Sequence, residues 1–351
     1  MPIFVKVLKA GHGDSILVSH RYENKIFNLL IDGGPASTFS VARRPGGNAL
    51  KNVLDEVIKS GSVVDLAILT HVDGDHIEGL IGAFKVRDYL PALAKKVWFN
   101  TSKYITDYFD HPEIVENEIK GVFDSNPNTS IAQAKTLELL LRDLNVHHPS
   151  LIKAGDVYQE GPFKITILSP SIKNLEKLLC IWPREEYSPN TSRKETDHKF
   201  LFKDLLIDDV FVGDSSIANG SSIAFILEAD NKKMLFFGDA YAEVLTDSLR
   251  ELGYTKENPI KAEFVKISHH GSKHNTSPEL LDLIDTRVFI VSTDGAHFNH
   301  PDKITLARIF SHNPANIIYA NYESVIKSVV LPVEADSYKA RFFVNPTAIE
   351  L

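Results

Sequence analysis

The sequence predicts an α+β protein with two related sheet layers and helices outside them. Three observations carry this. β-rich runs alternate with amphipathic helical segments along most of the chain. The two halves share a rhythm of paired strands, an acidic residue at a strand end, a helix, then a strand ending in histidine. The rhythm has a local echo, with Leu29-Leu30-Ile31-Asp32 matched by Leu235-Phe236-Phe237-Gly238-Asp239.

Residues 3–8 and 15–19 are β-rich on either side of the turn Gly11-His12-Gly13-Asp14. After a hairpin-like connection at 21–24, a strand over 26–31 ends at Asp32-Gly33-Gly34. Val53, Val57 and Ile58 at helical spacing predict a helix over 49–59. The apolar run Leu66-Ala67-Ile68-Leu69 is a buried strand ending at Thr70, and 96–100 is another strand. Residues 101–150 read as mainly helical, most clearly 132–144, where Leu137, Leu140 and Leu141 share a face. Residues 163–168 form a strand stopped by Ser169-Pro170. Residues 181–216 are charged and aperiodic, so 101–216 is read as a helical and irregular insertion within one domain spanning 1–351.

The regular pattern then returns. Strands over 222–228 and 233–237 flank the turn Ala229-Asp230-Asn231, and a helix follows over 241–252. A strand over 262–267 ends at Ser268-His269-His270-Gly271. Another over 287–291 leads into a loop holding His297 and His300, with Pro301 opening a helix over 303–310. Short strands are expected at 317–319, 326–330 and 341–344.

At 351 residues, 43% hydrophobic and 24% charged, the chain can bury a large core. A net charge of −8 and a pI near 6.0 argue against a broad basic surface for long duplex DNA. Candidates for a local basic groove are Arg43-Arg44 with Lys51, Lys95-Lys96, and Lys266 with Lys273, each read first as a solvated charge. Cys180 is the single cysteine, so no intrachain disulfide forms and a reducing cytoplasm is expected. The start of the sequence lacks a signal-peptide pattern and no apolar run reaches transmembrane length, so no membrane role is expected.

The chemistry concentrates in His71-Val72-Asp73-Gly74-Asp75-His76, directly after a strand. Two imidazoles and two carboxylates crowded into one tight loop are costly unless a cation holds them. The mixed nitrogen and oxygen donors suit a divalent transition metal, and their number suits a pair. Asp32-Gly33-Gly34, Gly238-Asp239, His269-His270-Gly271-Ser272 and Asn299-His300-Pro301 repeat the pattern of apolar strand followed by polar end. Singly these are a turn, a helix cap or a loop histidine. Together they describe strand ends meeting at one edge, where strands hold catalytic groups rigidly.

The order of these motifs resembles that of the metallo-β-lactamase fold family. Its signature HxHxDH reads here as His71-x-Asp73-x-Asp75-His76. Aspartate in place of the second histidine resembles the branch formed by the hydrolase-like domain of the competence protein ComEC and its stand-alone relatives. Gly11-His12-Gly13-Asp14-Ser15-Ile16-Leu17, Asn219-Gly220-Ser221-Ser222, Phe237-Gly238-Asp239-Ala240, His269-His270-Gly271-Ser272 and His300-Pro301 carry the same likeness, over roughly 1–100 and 217–312. The ComEC transport segment has no counterpart, so a DNA-uptake channel is not expected.

The resemblance implies a four-layer αββα sandwich and a binuclear hydrolase with two divalent ions, zinc or manganese, with magnesium also considered. His71 and Asp73 would hold one metal, Asp75 and His76 the second, and Asp239 would bridge them. One of His269 and His270 would complete the second metal, His269 being slightly favoured. His300 would contact substrate or protonate a leaving group, and His12, Asn219 and Ser272 would line the substrate side. Two departures stand out. The third histidine that the family supplies to the first metal is missing from the loop before Gly238-Asp239, which offers Asp214, Ser215 and Asn219. His12 stands where glutamine is common.

A water bridging two such cations loses proton affinity and becomes a nucleophile near neutral pH, with Asp75 orienting it. Asp73 hardens the site and moves preference from Zn²⁺ towards Mn²⁺ or Mg²⁺. The expected reaction is phosphodiester hydrolysis, on single-stranded nucleic acid or a small phosphodiester. Hydrolysis of a non-phosphate ester, lactone or thioester is the second reading. A partner-dependent or non-catalytic module working through 101–216 is the third.

Overall fold

The computed structural model describes residues 2–41, 47–110, 130–142, 144–146, 150–181 and 196–351. Arg43, Arg44, the Cys180 side chain and most of the expected insertion's centre lie outside the described residues.

In chain order the strands are β1 (Ile3–Val7), β2 (Ile16–Tyr22), β3 (Lys25–Ile31), β4 (Leu66–Ile68), β5 (Val97–Trp98), β6 (Val157–Glu160), β7 (Phe163–Ser169) and β8 (Ala224–Ala229). They continue as β9 (Lys232–Phe236), β10 (Ile260–Lys261), β11 (Phe264–Lys266), β12 (Ile284–Asp285), β13 (Val288–Val291), β14 (Ile317–Ala320), β15 (Phe342–Val344) and β16 (Ile349–Glu350). The first sheet has the order β16-β1-β2-β3-β4-β5, and the second β15-β14-β13-β11-β9-β8-β7-β6. β10 and β12 form a separate parallel pair. In each large sheet antiparallel strands give way to parallel ones, at β3–β4 in the first and β9–β11 in the second.

The layering follows from the period-two alternation of strand side chains. Ile16 and Val18 of β2, Leu29 and Ile31 of β3, and Leu66 and Ile68 of β4 enter one core with Phe225 and Leu227 of β8 and Met234 and Phe236 of β9. That core lies between the sheets. The alternate residues Leu17, Leu30 and Ala67 pack instead with Leu50, Val53 and Leu54 of helix Ala49–Lys59 and Ile77 and Leu80 of helix Gly74–Phe84. On the second sheet Ala224, Ile226 and Leu235 pack with Leu245 and Leu249 of helix Ala242–Glu251 and Leu306 and Ile309 of helix Lys303–His312. Helix, sheet, sheet, helix is the αββα sandwich that the resemblance implies.

Two expectations are corrected. Residues 326–330 are not a strand but the end of helix Glu323–Val329, whose Val325 and Val329 are buried one turn apart. Lys266 is not a surface cation. It shares a face of β11 with Phe264, is 1% exposed, and its ammonium pairs with the buried Asp14 carboxylate. β16, absent from the sequence reading, closes the first sheet against β1. No helix among the described residues is long and apolar enough to cross a membrane.

Candidate metal centre

The polar strand ends gather where the two sheets meet. Ile223 N donates to Thr70 O at 2.8 Å, joining the chain just after β4 in the first sheet to the chain just before β8 in the second. Thr70 leads into His71, and Asp73 to His76 enter helix Gly74–Phe84, whose first turn carries Asp75 at its positive end. Beyond β9, Asp239 N donates to Ser222 Oγ at 3.0 Å. Beyond the parallel neighbour β11, His269 N donates to Gly238 O at 2.9 Å. His269 and His270 are both left-handed, with φ of 47° and 52°. Such backbone costs about 1–3 kcal/mol per non-glycine residue and is held by its surroundings. Here it brings two consecutive imidazoles to the same carboxylate.

That carboxylate is Asp239, 2% exposed. His76 Nε2 lies 3.6 Å from its Oδ1. The Nε2 atoms of His71, His269 and His270 lie 3.8, 3.8 and 3.9 Å from its Oδ2. Asp73 Oδ2 is 3.6 Å from His71 Nε2, and Asp75 Oδ2 is 3.4 Å from His270 Nε2. The Nε2 atoms of His71, His76 and His270, and Oδ1 of Asp239, are buried without a hydrogen-bond partner. Each such atom costs about 1–3 kcal/mol. Metal bonds of about 2.0–2.2 Å put tetrahedral donors about 3.4 Å apart, close to these separations. The donor set therefore fits divalent cations.

The far side of each ring fixes its tautomer. His76 Nδ1 donates to Asp32 Oδ2 at 2.8 Å, and Asp32 also accepts from Thr70 N and Oγ1 at 2.7 and 2.8 Å. His270 Nδ1 donates to Ser292 O at 2.7 Å and has Asp14 Oδ1 at 3.5 Å. His269 Nδ1 is met by Asn275 Oδ1 at 3.1 Å and Asp214 Oδ2 at 3.3 Å. With a proton held at Nδ1, Nε2 is the nitrogen that faces Asp239 and the one that would become a ligand once its own proton is released. Asp14, His76, Asp239 and His270 each bring one ligand atom within 4.8 Å of the others. Asp14 nonetheless acts as a brace, because one oxygen pairs with Lys266 and the other approaches His270 at Nδ1, away from Nε2.

Burial alone would raise the carboxylates and lower the imidazoles. Among the carboxylates burial is outweighed by the imidazoles, which hold Asp239 and Asp75 well below the usual range. Burial of His270 is outweighed by Asp14, Asp239 and Asp75, and its pKa is pushed up to about 10. His76 is likewise raised by Asp239, Asp32 and Asp75. At the rim the balance reverses. Burial pushes both His12 and His300 below the ordinary imidazole value.

His71, Asp73, Asp75, His76, Asp239, His269 and His270 come together around Asp239. Both histidines of the pair reach it, and His270, rather than the favoured His269, stands with Asp75. His300 lies beside them, its ring centroid 5.2 Å from that of His269. His12 stacks on His297 at 4.7 Å. Asn219 and Ser272, expected on the substrate side, are 3% and 2% exposed and engaged internally. Asn219 Nδ2 donates to Asp214 Oδ2 at 2.7 Å, and Ser272 Oγ accepts from His274 N at 3.3 Å. Asp214, one of the residues that loop offers where the third histidine is missing, turns its carboxylate to Asn219, Asn275 and His269 Nδ1. Asp14, Lys266 and Asn275 were given no place in the site from sequence, and Asp32, though named among the converging strand ends, was given no role behind His76. Asp14 sits inside a motif that carries the resemblance and Asp32 ends a strand, so both had a local signal. Asn275 had none.

No family model matches the chain, and no curated protein matches it. Among solved structures, it is similar to the metallo-β-lactamase fold protein YhfI from Bacillus subtilis, at 11% identity and a TM-score of 0.41 over 100% of both chains. It is similar to CmlA, a diiron β-hydroxylase from Streptomyces venezuelae, at 10% identity and a TM-score of 0.42, covering 100% of this chain and 54% of that one. Zinc-bound PqqB from Methylobacterium extorquens gives 10% identity and a TM-score of 0.41, covering 88% of this chain and 95% of that one. The chain thus spans about half the length of CmlA. The αββα layers rest on the chain's own sheet order and three cores.

Proposed function

We propose that the protein is a metal-dependent hydrolase of phosphodiesters, with single-stranded nucleic acid as its polymeric substrate. The observation that carries this reading is the convergence of four imidazole Nε2 atoms on Asp239, three of them buried and unpartnered. His71 and Asp73 would hold one cation, Asp75, His76 and His270 the other, and Asp239 both. His269, turned by Asp214 and Asn275, is the histidine available to the first. Bound there, two divalent cations would supply Lewis-acid stabilisation of phosphoryl charge and lower the proton affinity of water.

The chain's own groups do the rest. Asp32 and Ser292 O hold the Nδ1 protons of His76 and His270, which reserves their Nε2 atoms for the metal. Asp75, 14% exposed at its side chain, orients a water from the open side. His300, which burial pushes below the ordinary imidazole value and which lies beside His269, offers a hydrogen bond to the substrate or its leaving group. Asp73 in place of a histidine favours a harder ion, manganese or magnesium over zinc.

Metal-stripped protein reloaded with Mn²⁺, Mg²⁺ or Zn²⁺ and given labelled single- and double-stranded nucleic acid tests the reading. Cleavage that needs the metal and disappears in Asp75→Ala is expected. Two bound cations with no turnover of any nucleic acid or of bis(p-nitrophenyl) phosphate would overturn it. Turnover of a carboxylic ester or thioester in the same panel would transfer the centre to acyl chemistry.

A further inference from the structure

Beside the metal centre lies an aromatic surface that the proposed chemistry leaves unused. His12 and His297 stack with ring centroids 4.7 Å apart and an interplanar angle of 27°. Phe298 stands edge-on to His297 at 4.4 Å, with its ring 6.2 Å from both His12 and His300. Phe298 is 52% exposed. Two loops carry the group and are tied together by Asp294 N donating to Gly11 O at 2.8 Å, while Gly11 N donates to Tyr322 Oη at 2.9 Å beyond β14. The loop of His297 is braced internally, Ala296 N donating to Asp294 Oδ1 at 2.8 Å and Gly295 N to Thr293 Oγ1 at 3.1 Å.

The surface reaches the metal centre from two directions. On one side His300 contacts His269. On the other, Asp14 N donates to Asp75 O at 3.2 Å, and Gly13 packs so closely that a Cβ there would lie 1.9 Å from the Asp75 carbonyl oxygen. Meanwhile several basic candidates for gripping a phosphate backbone are engaged elsewhere. Lys51 pairs with Asp55, Lys96 with Glu160, and Lys266 is buried on Asp14. At a net charge of −8 the protein must hold a polyanion by something other than a broad basic surface. Aromatic faces add to the hold on unpaired bases by stacking, which tolerates any sequence.

We propose that Phe298, with the stacked pair His12 and His297, is a platform on which the base next to the scissile phosphodiester stacks, making the enzyme selective for unpaired strands. The inference rests on the phosphodiesterase reading. Its test separates the two. An oligonucleotide and its analogue abasic beside the cleaved linkage are compared as substrates of the full chain. The intact strand should be preferred through KM by roughly ten-fold. Phe298→Ala and His297→Ala should bring that ratio to near one, with unchanged melting temperatures as the folding control. Equal wild-type rates on both strands, or a ratio unchanged in Phe298→Ala, would overturn the platform while leaving the hydrolase intact. If the wild type cleaves neither strand, a trinucleotide carrying 2-aminopurine is titrated in Mg²⁺. Fluorescence quenching that Phe298→Ala abolishes supports the platform, and absence of quenching by the wild type rejects it.

Discussion

Asp32 Oδ2 accepts a hydrogen bond of 2.8 Å from His76 Nδ1, across 44 residues of chain. Both groups are buried, and the same carboxylate holds Thr70 immediately before His71. One aspartate at the end of β3 therefore orients the whole histidine-aspartate loop. Asp32→Ala should lower metal affinity by about 10–100-fold, as losing the partner of a ligating histidine typically does. Asp32→Asn should lose less. Isothermal titration on metal-stripped protein reads both, and an unchanged affinity in Asp32→Ala would show that the loop holds itself.

The contact depends on how closely helix Gly74–Phe84 approaches the turn after β3. Gly79 N donates to Gly34 O at 2.8 Å, and a Cβ on Gly79 would fall 2.0 Å from Gly33 O. Gly79→Ala is expected to destabilise the protein by about 1–3 kcal/mol through overpacking and to weaken metal binding with it. Denaturant unfolding measures the first and metal stoichiometry the second. The same substitution at Gly61, whose Cβ would meet nothing within 4 Å but whose φ is 68°, separates backbone strain from crowding.

Metal binding should release protons. His270, held up at about 10 by Asp14, Asp239 and Asp75 against the opposing effect of burial, carries its Nε2 proton at pH 8 when no cation is bound. A ligating imidazole must be neutral. Apparent affinity should therefore rise with pH up to about 10, and calorimetry in buffers of different ionisation enthalpy should show proton release at pH 8. The stability linkage has the opposite sign in metal-stripped protein. A folded pKa above the unfolded value near 6.5 contributes stability that is whole below about 6.5 and is lost as pH rises through about 10. Melting temperature against pH, with and without metal, distinguishes the two slopes.

Lys266 and Asp14 form an ion pair with side chains 1% and 3% exposed. Removing one partner strands a buried charge, at a cost of about 3–5 kcal/mol. Lys266→Met and Asp14→Leu should each be severely destabilised. The double variant should recover much of the loss, because the apolar pair leaves no uncompensated charge. A double variant as unstable as the sum of the singles would mean that Asp14 is held mainly for His270 and not for Lys266.

The layers were legible because strand alternation and helical spacing are local. Residues 16–18 and 29–31 are continuous apolar runs, as strands buried on both faces require, and 49–59 shows its buried stripe. Residues 326–330 misled because a short apolar run suits either period, and only burial of Val325 with Val329 decides for helix. Lys266 misled because a lysine gives no sign in sequence of the carboxylate 252 positions away that lets it be buried.

By itself the sequence determined the apolar runs that make strands buried on both faces and the donor-rich strand ends at Asp32, His71 to His76, Asp239 and His269-His270. These follow from residue type and spacing within a few positions. Only the tertiary structure decided that both His269 and His270 reach Asp239, that Asp32 and Asp14 stand behind the rings, and that His12 lies on His297. Those facts depend on strand order and on how two loops pack, which bring together groups tens to hundreds of residues apart. A hydrogen bond acts over about 3 Å, so the partner of a buried ring is set by the packed fold and not by its neighbours in the chain.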